Sequence, residues 1–167
     1  MSDFSRHLPL SNRPRGDESA VTGDWRVELA AVIELAATLQ PDDAASLAFA
    51  AEAKLAAEYP GLSLGELATA VRTGPRRRIR ALTDGVRALL RLADGRAVAL
   101  SPIASGAVAL AEFPRMAFER RAAMRGSSVR ATDAGWTVGR GPVRETTARE
   151  ALEFILGLSD TPPPLRS

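Results

Sequence analysis

A chain of 167 residues, 46% apolar and 25% charged, suits one domain with tails or two very small ones and is too apolar to be a disordered chain. It holds no cysteine, which excludes disulfides and thiolate zinc sites, and its net charge of +2 hides an asymmetry. Residues 1–71 carry 5 basic and 11 acidic side chains, and residues 72–167 carry 17 and 9, which points to a polyanionic partner for the second half.

Residues 1–22 mix Pro, Gly, Ser and both charges without periodicity and read as a disordered tail. They lack the apolar core of a secretory signal, and no apolar run in the chain nears the roughly 18–20 residues that span a bilayer, so the expectation is a cytoplasmic protein with no membrane partner. The first helix is expected over 25–39, with Asp24 at its start and a stripe of Trp25, Leu29, Val32, Ile33 and Ala36. A second should begin at Pro41 and bury Ala44, Leu47, Ala48, Ala51, Leu55 and Tyr59. Ser63 and Glu66 form a capping box that opens a short helix through Val71.

The stretch "RTGPRRRIRALTDG" at 72–85 allows two readings. One long helix over 76–93 would put Ile79, Leu82, Val86, Leu89, Leu90 and Ala93 on one side and Arg76, Arg80, Arg87 and Arg91 on the other. Alternatively the helix stops at Asp84-Gly85, and 86–100 is a hairpin turning at Asp94-Gly95. The Asp-Gly pair between apolar runs favours the hairpin. Residues 102–125 read as helical, broken near Pro114, with Gly126 as the stop. A hairpin over 127–140 turns around Asp133-Ala134-Gly135, and a capping box of Thr147 and Glu150 opens a helix that buries Ala151, Leu152, Ile155 and Leu156. On this reading 86–125 and 128–158 are each hairpin then helix, a degenerate ββα repeat. "SDTPPPLRS" at 159–167 is a second tail. The fold class is α+β: a helical unit over 23–101, then 102–158 as part of it or as a second small domain.

"LSLGELATAV", "RTGP", "RRRIRALTDG" and "VRALLRLADGRAVALSP" follow one another as helix, turn, helix and wing. In this order the region 44–101 resembles the winged helix-turn-helix DNA-binding domains. The resemblance implies that Arg76, Arg77 and Arg80 reach bases or phosphates in the major groove, and that Arg91 or Arg96 reaches backbone from the wing. Arg72 belongs to the same basic stretch. A second patch of Arg115, Arg120, Arg121, Arg125 and Arg130 would widen the footprint. Few residues here suit base-edge readout, so phosphate contact is expected more than sequence reading. The aromatic platforms that a single strand would need are sparse. Phe113 and Phe118 are expected in the core, and Trp136 is open to either role.

Catalysis lacks residues. The one histidine, His7, falls in the expected tail, there is no cysteine nucleophile, Lys54 lies on an acidic helix, and "TVGRGP" lacks the third glycine and the lysine of a phosphate loop. Neither a metal site nor a cofactor is expected. The expectation is a small non-enzymatic DNA-binding protein, dimeric through the alanine-rich helices at 25–59. The alternative is an adaptor or scaffold whose basic face meets an acidic partner; Glu28, Glu34, Glu52 and Glu58 on the first two helices would suit a basic partner or simply keep the surface soluble.

Overall fold

Leu29, Val32, Ile33 and Ala36 recur at helical spacing, and all are buried in the computed structural model, which describes residues 23–165. They lie on α1 (Arg26–Thr38), which packs on α3 (Leu64–Thr73) and α4 (Ile79–Ala93). Asp42 accepts the Ala45 amide at 2.7 Å and so starts α2 (Asp43–Glu52) two residues after Pro41. The expected α2 stripe is on the wrong face: Ala44, Leu47, Ala48 and Ala51 are exposed or only partly covered, and Phe49, Ala50 and Ala53 turn inward. Phe49 has the most apolar surface to remove from water and sets the rotation of this short helix. The helix ends early because Lys54 takes a left-handed backbone (φ 59°), which leaves Leu55 and Tyr59 beyond it, Leu55 buried as expected and Tyr59 partly so. The Ser63/Glu66 capping box forms as expected at the start of α3.

The hairpin expected at 86–100 is absent. Residues 79–93 are one amphipathic helix whose Leu82, Val86, Leu89, Leu90 and Ala93 are buried. Two local signals point elsewhere, each for a reason that only the packing discloses. Gly85 does not stop the helix: a Cβ there would meet Leu29 Cδ1 at 2.5 Å, so glycine is where α4 and α1 cross closely. Asp94 and Gly95 both take left-handed backbones (φ 40° and 84°), but they cap the end of α4 and lead into an irregular 96–100. The hairpin expected of the wing, and with it the first half of the ββα repeat, is therefore helix over 86–93 and irregular chain over 96–100.

Ser101 caps α5 (Pro102–Glu112), whose end passes through a single 3₁₀ turn at Phe113–Arg115 into the short α6 (Phe118–Ala123). The second hairpin is present: β1 (Ser128–Ala131) pairs antiparallel with β2 (Thr137–Gly139), Val129 opposite Val138. A third strand, β3 (Val143–Thr146), pairs parallel with β1 on its other side, giving the order β2-β1-β3. The 140–142 turn must cross the end of β1 to reach it. Gly141, at φ 109°, makes that possible, because any side chain would strike the Gly126 carbonyl. α7 (Ala148–Leu156) follows from the expected Thr147/Glu150 capping box and packs on α5, α4 and β1. Trp136 ties the sheet to α5: its Nε1 donates to the buried Ser105 Oγ at 2.9 Å, and its ring lies against Gly106. Residues 159–165 are not helical, yet they run along β3, where Arg144 donates to the Pro163 carbonyl at 2.7 Å and bridges Leu165. The tail expected at 1–22 lies outside the described residues, as do 166 and 167. The result is an α+β fold with a helical first half, a small mixed sheet and one hairpin. Among the described residues no helix is long and apolar enough to cross a membrane.

Candidate polyanion- and partner-binding surfaces

The turn between α3 and α4 and the helix ends beside it carry Arg72, Arg76, Arg77 and Arg80 of the arginines singled out above, and several of these are already paired within the chain. Asp24, just before α1, accepts the amides of both Arg26 and Arg77 at 3.2 Å, while Trp25 donates to the Arg77 carbonyl at 2.9 Å. Arg26 pairs with Asp24 at 2.8 Å and donates to the Gly74 carbonyl at 2.7 Å. Burial works against ionisation of Asp24, but the two amides and the Arg26 guanidinium hold its carboxyl below the usual value.

Arg77 is the most enclosed of the set. Its guanidinium grips Glu58 through two bonds of 2.8 and 2.6 Å, donates to Tyr59 Oη at 2.8 Å and lies 5.6 Å from the centre of that ring. The Arg77 hydrogen bond lowers Glu58, and burial raises the Tyr59 phenol. Arg72 pairs with Glu34 at 2.8 Å and lowers its carboxyl in the same way. Arg91 pairs with Glu52 at 2.8 Å. Arg96, expected on a wing, instead donates to the carbonyls of Ala93, Leu92 and Leu39, capping the ends of α4 and α1.

The charge asymmetry between the halves therefore has a largely internal answer. Asp24, Glu34, Glu52 and Glu58 of the acidic half meet Arg72, Arg76, Arg77 and Arg91 of the basic half within one chain. In the second patch Arg115 pairs with Glu112, Arg120 with Asp160 and Arg130 with Glu145.

Two groups of arginines remain turned to solvent. Arg76, Arg78 and Arg80 surround the start of α4, whose first turn has no side-chain cap. Arg76 pairs with Asp24 at 3.8 Å, whereas Arg78 and Arg80 have no carboxylate partner among the described residues. In the second group Arg121, Arg125 and Arg140 rim a cleft beside α6, again without a carboxylate partner among the described residues. Phe118, expected in the core, is instead 72% exposed at that cleft, whereas Phe113 is half-buried and Trp136 is docked on α5.

No protein-family model, curated protein or solved structure matches the chain. Its own surface chemistry is the guide to function. Two residues of that surface, Arg78 and Arg140, carry weight that sequence reasoning missed. Arg78 was hidden in a run of like residues. Arg140 had a visible signal: "RG" recurs at 125–126 and 140–141, and the close contact of Gly126 with Gly141 brings the two arginines to one rim.

Proposed function

We propose that the protein is a small non-enzymatic DNA-binding protein that grips phosphates at the start of α4, with Arg78 and Arg80 as the contacts. The observation that carries this reading is the residual charge there. Among the described residues six arginines (Arg26, Arg72, Arg76, Arg77, Arg78 and Arg80) gather about three carboxylates (Asp24, Glu34 and Glu58), and Arg78 and Arg80 have no carboxylate partner there, which leaves the turn cationic. The exposed, uncapped first turn of a helix adds partial positive charge where a phosphate would sit. Arg72, Arg77, Arg91, Arg96 and Arg120 drop out of the contact set because their guanidinium groups already serve carboxylates or carbonyls. Charge without apolar surface suits duplex backbone rather than base reading.

Fluorescence anisotropy against a random duplex, titrated with salt, tests the proposal. Binding should fall steeply with salt, and Arg78→Ala with Arg80→Ala should reduce the log–log slope by about one unit per phosphate no longer neutralised. Absence of binding at low salt, or an unchanged slope in the double variant, would refute it. A cytoplasmic setting belongs to the same proposal. A homodimer through residues 25–59 would have to use the exposed Val27 and Leu47, because the α1 stripe is consumed within the chain. A second reading, an adaptor that meets an acidic protein, draws on a different surface: the Phe118 cleft, where apolar groups and arginines without carboxylate partners coincide.

A further inference from the structure

A cleft of about 520 Å³ opens between the 3₁₀ turn, α6 and the β2–β3 turn. Its floor is Phe113, Met116 and Met124, the two methionines being almost fully buried, and Phe118 projects as one wall. Arg121 lies one turn beyond Phe118 on α6 and faces the same way. Arg125 and Arg140 stand on two turns held together by the Gly126–Gly141 contact, so their backbones are fixed before any ligand arrives. Arg121 makes only a 3.5 Å contact with the Pro114 carbonyl, and Arg125 and Arg140 have no hydrogen-bond or ion-pair partner for their side chains among the described residues.

We propose that this cleft receives an acidic protein segment, which seats one apolar side chain on the methionine floor and sets its flanking carboxylates on Arg121, Arg125 and Arg140. Charge complementarity selects the sign of the partner. Thioether side chains adapt to an incoming apolar group, and phenylalanine, methionine and arginine are among the residues enriched at protein interfaces. A single strand of nucleic acid fits less well, because one exposed phenylalanine gives no succession of stacking platforms. A bilayer fits less well too, because the methionines are recessed where a side chain reaches and a flat surface does not. The site rests on the adaptor reading and not on the DNA one: it shares no residue with the contacts at the start of α4, and Arg121 and Arg125, expected in the wider DNA footprint, line this cleft.

The methionines supply the test, since Met116 and Met124 are the only ones among the described residues and both line the cleft. With methyl-labelled methionine in the full chain, a short peptide of glutamates around one leucine should shift both methyl resonances saturably. A lysine-for-glutamate peptide should not. Phe118→Ala should weaken binding about tenfold or more, as expected for truncating a central aromatic anchor. Arg125→Glu with Arg140→Glu should abolish it. Because these side chains are exposed and make no ion pair among the described residues, the variants should retain the wild-type thermal midpoint. Arg78→Ala with Arg80→Ala should leave peptide binding untouched, so that failure at one surface is distinct from failure at the other. No methyl shift at millimolar peptide, or equal response to both peptides, would overturn the assignment. So would a shift produced by oligothymidine or phosphatidylserine vesicles in place of the acidic peptide.

Discussion

Arg77 shows how one guanidinium can be placed so that no other cation replaces it. Its planar fork meets Glu58 with two bonds while a third reaches Tyr59, and its own amide and carbonyl are held by Asp24 and Trp25. A lysine has the charge but not the fork. Arg77→Lys should therefore cost about 1.5–3 kcal/mol, the range for hydrogen bonds to charged groups. It should fall closer to Arg77→Ala than to wild type in urea denaturation. A cost of only a few tenths would make the pair an ordinary surface one. At the same scale, Gly85 and Gly65 form a contrast. Both sit in helices, but a Cβ at Gly65 meets nothing within 4 Å. Gly65→Ala should raise the thermal midpoint slightly, since alanine is the better helix former by up to about 1 kcal/mol. Gly85→Ala should lower it, because overpacking against Leu29 costs about 1–3 kcal/mol and exceeds the propensity gain.

Among the elements, α4 does the most to organise the molecule, touching α1, α2, α5 and α7. The buried Asp84 on this helix takes Lys54 at 2.8 Å and Arg87 at 3.6 Å, tying the end of α2 to it. Leu89, fully buried among these helices, should cost about 2–5 kcal/mol when changed to alanine. Backbone hydrogen exchange should protect 82–93 as one cooperative block. Protection broken at 84–86 would restore the helix-stop reading. The capping boxes at Ser63 and Thr147 were legible because each is satisfied within four residues. The parallel β3 was not, because its partner is fixed by a crossing turn and by no local pattern.

For the whole molecule, the ion pairs of Glu34 and Glu58 with the second half, and the amides and guanidinium that hold Asp24, make stability depend on pH. Asp24, Glu34 and Glu58 all titrate lower in the folded state than their ordinary values of 3.8 and 4.5. The unfolded chain then binds more protons in the window below those values, so stability rises with pH across it. The contribution is fully present above the ordinary carboxylate range and is lost as pH falls through the depressed folded values. The urea midpoint should accordingly drop on acidification below about pH 4.5. Glu34→Gln with Glu58→Gln should flatten that drop and lower the plateau at neutral pH. A double variant with the wild-type acid profile would show that these pairs do not couple the halves.

Periodicity and capping chemistry by themselves determined the α+β class, α1, α3, α5, the second hairpin and α7, since those signals act over a few residues and need no partner. The basic surplus of the second half was equally legible, as a matter of counting. Tertiary structure alone decided where that surplus is usable. A guanidinium is neutralised by whichever carboxylate the fold brings within about 3 Å. The carboxylates that do so lie far along the chain: Glu34 for Arg72, Glu58 for Arg77 and Glu52 for Arg91. It also decided that Asp94-Gly95 ends a helix rather than turning a hairpin. The same left-handed backbone serves both, and burial of the apolar face of 79–93 against α1, α2, α5 and α7 outweighs any local preference for strands.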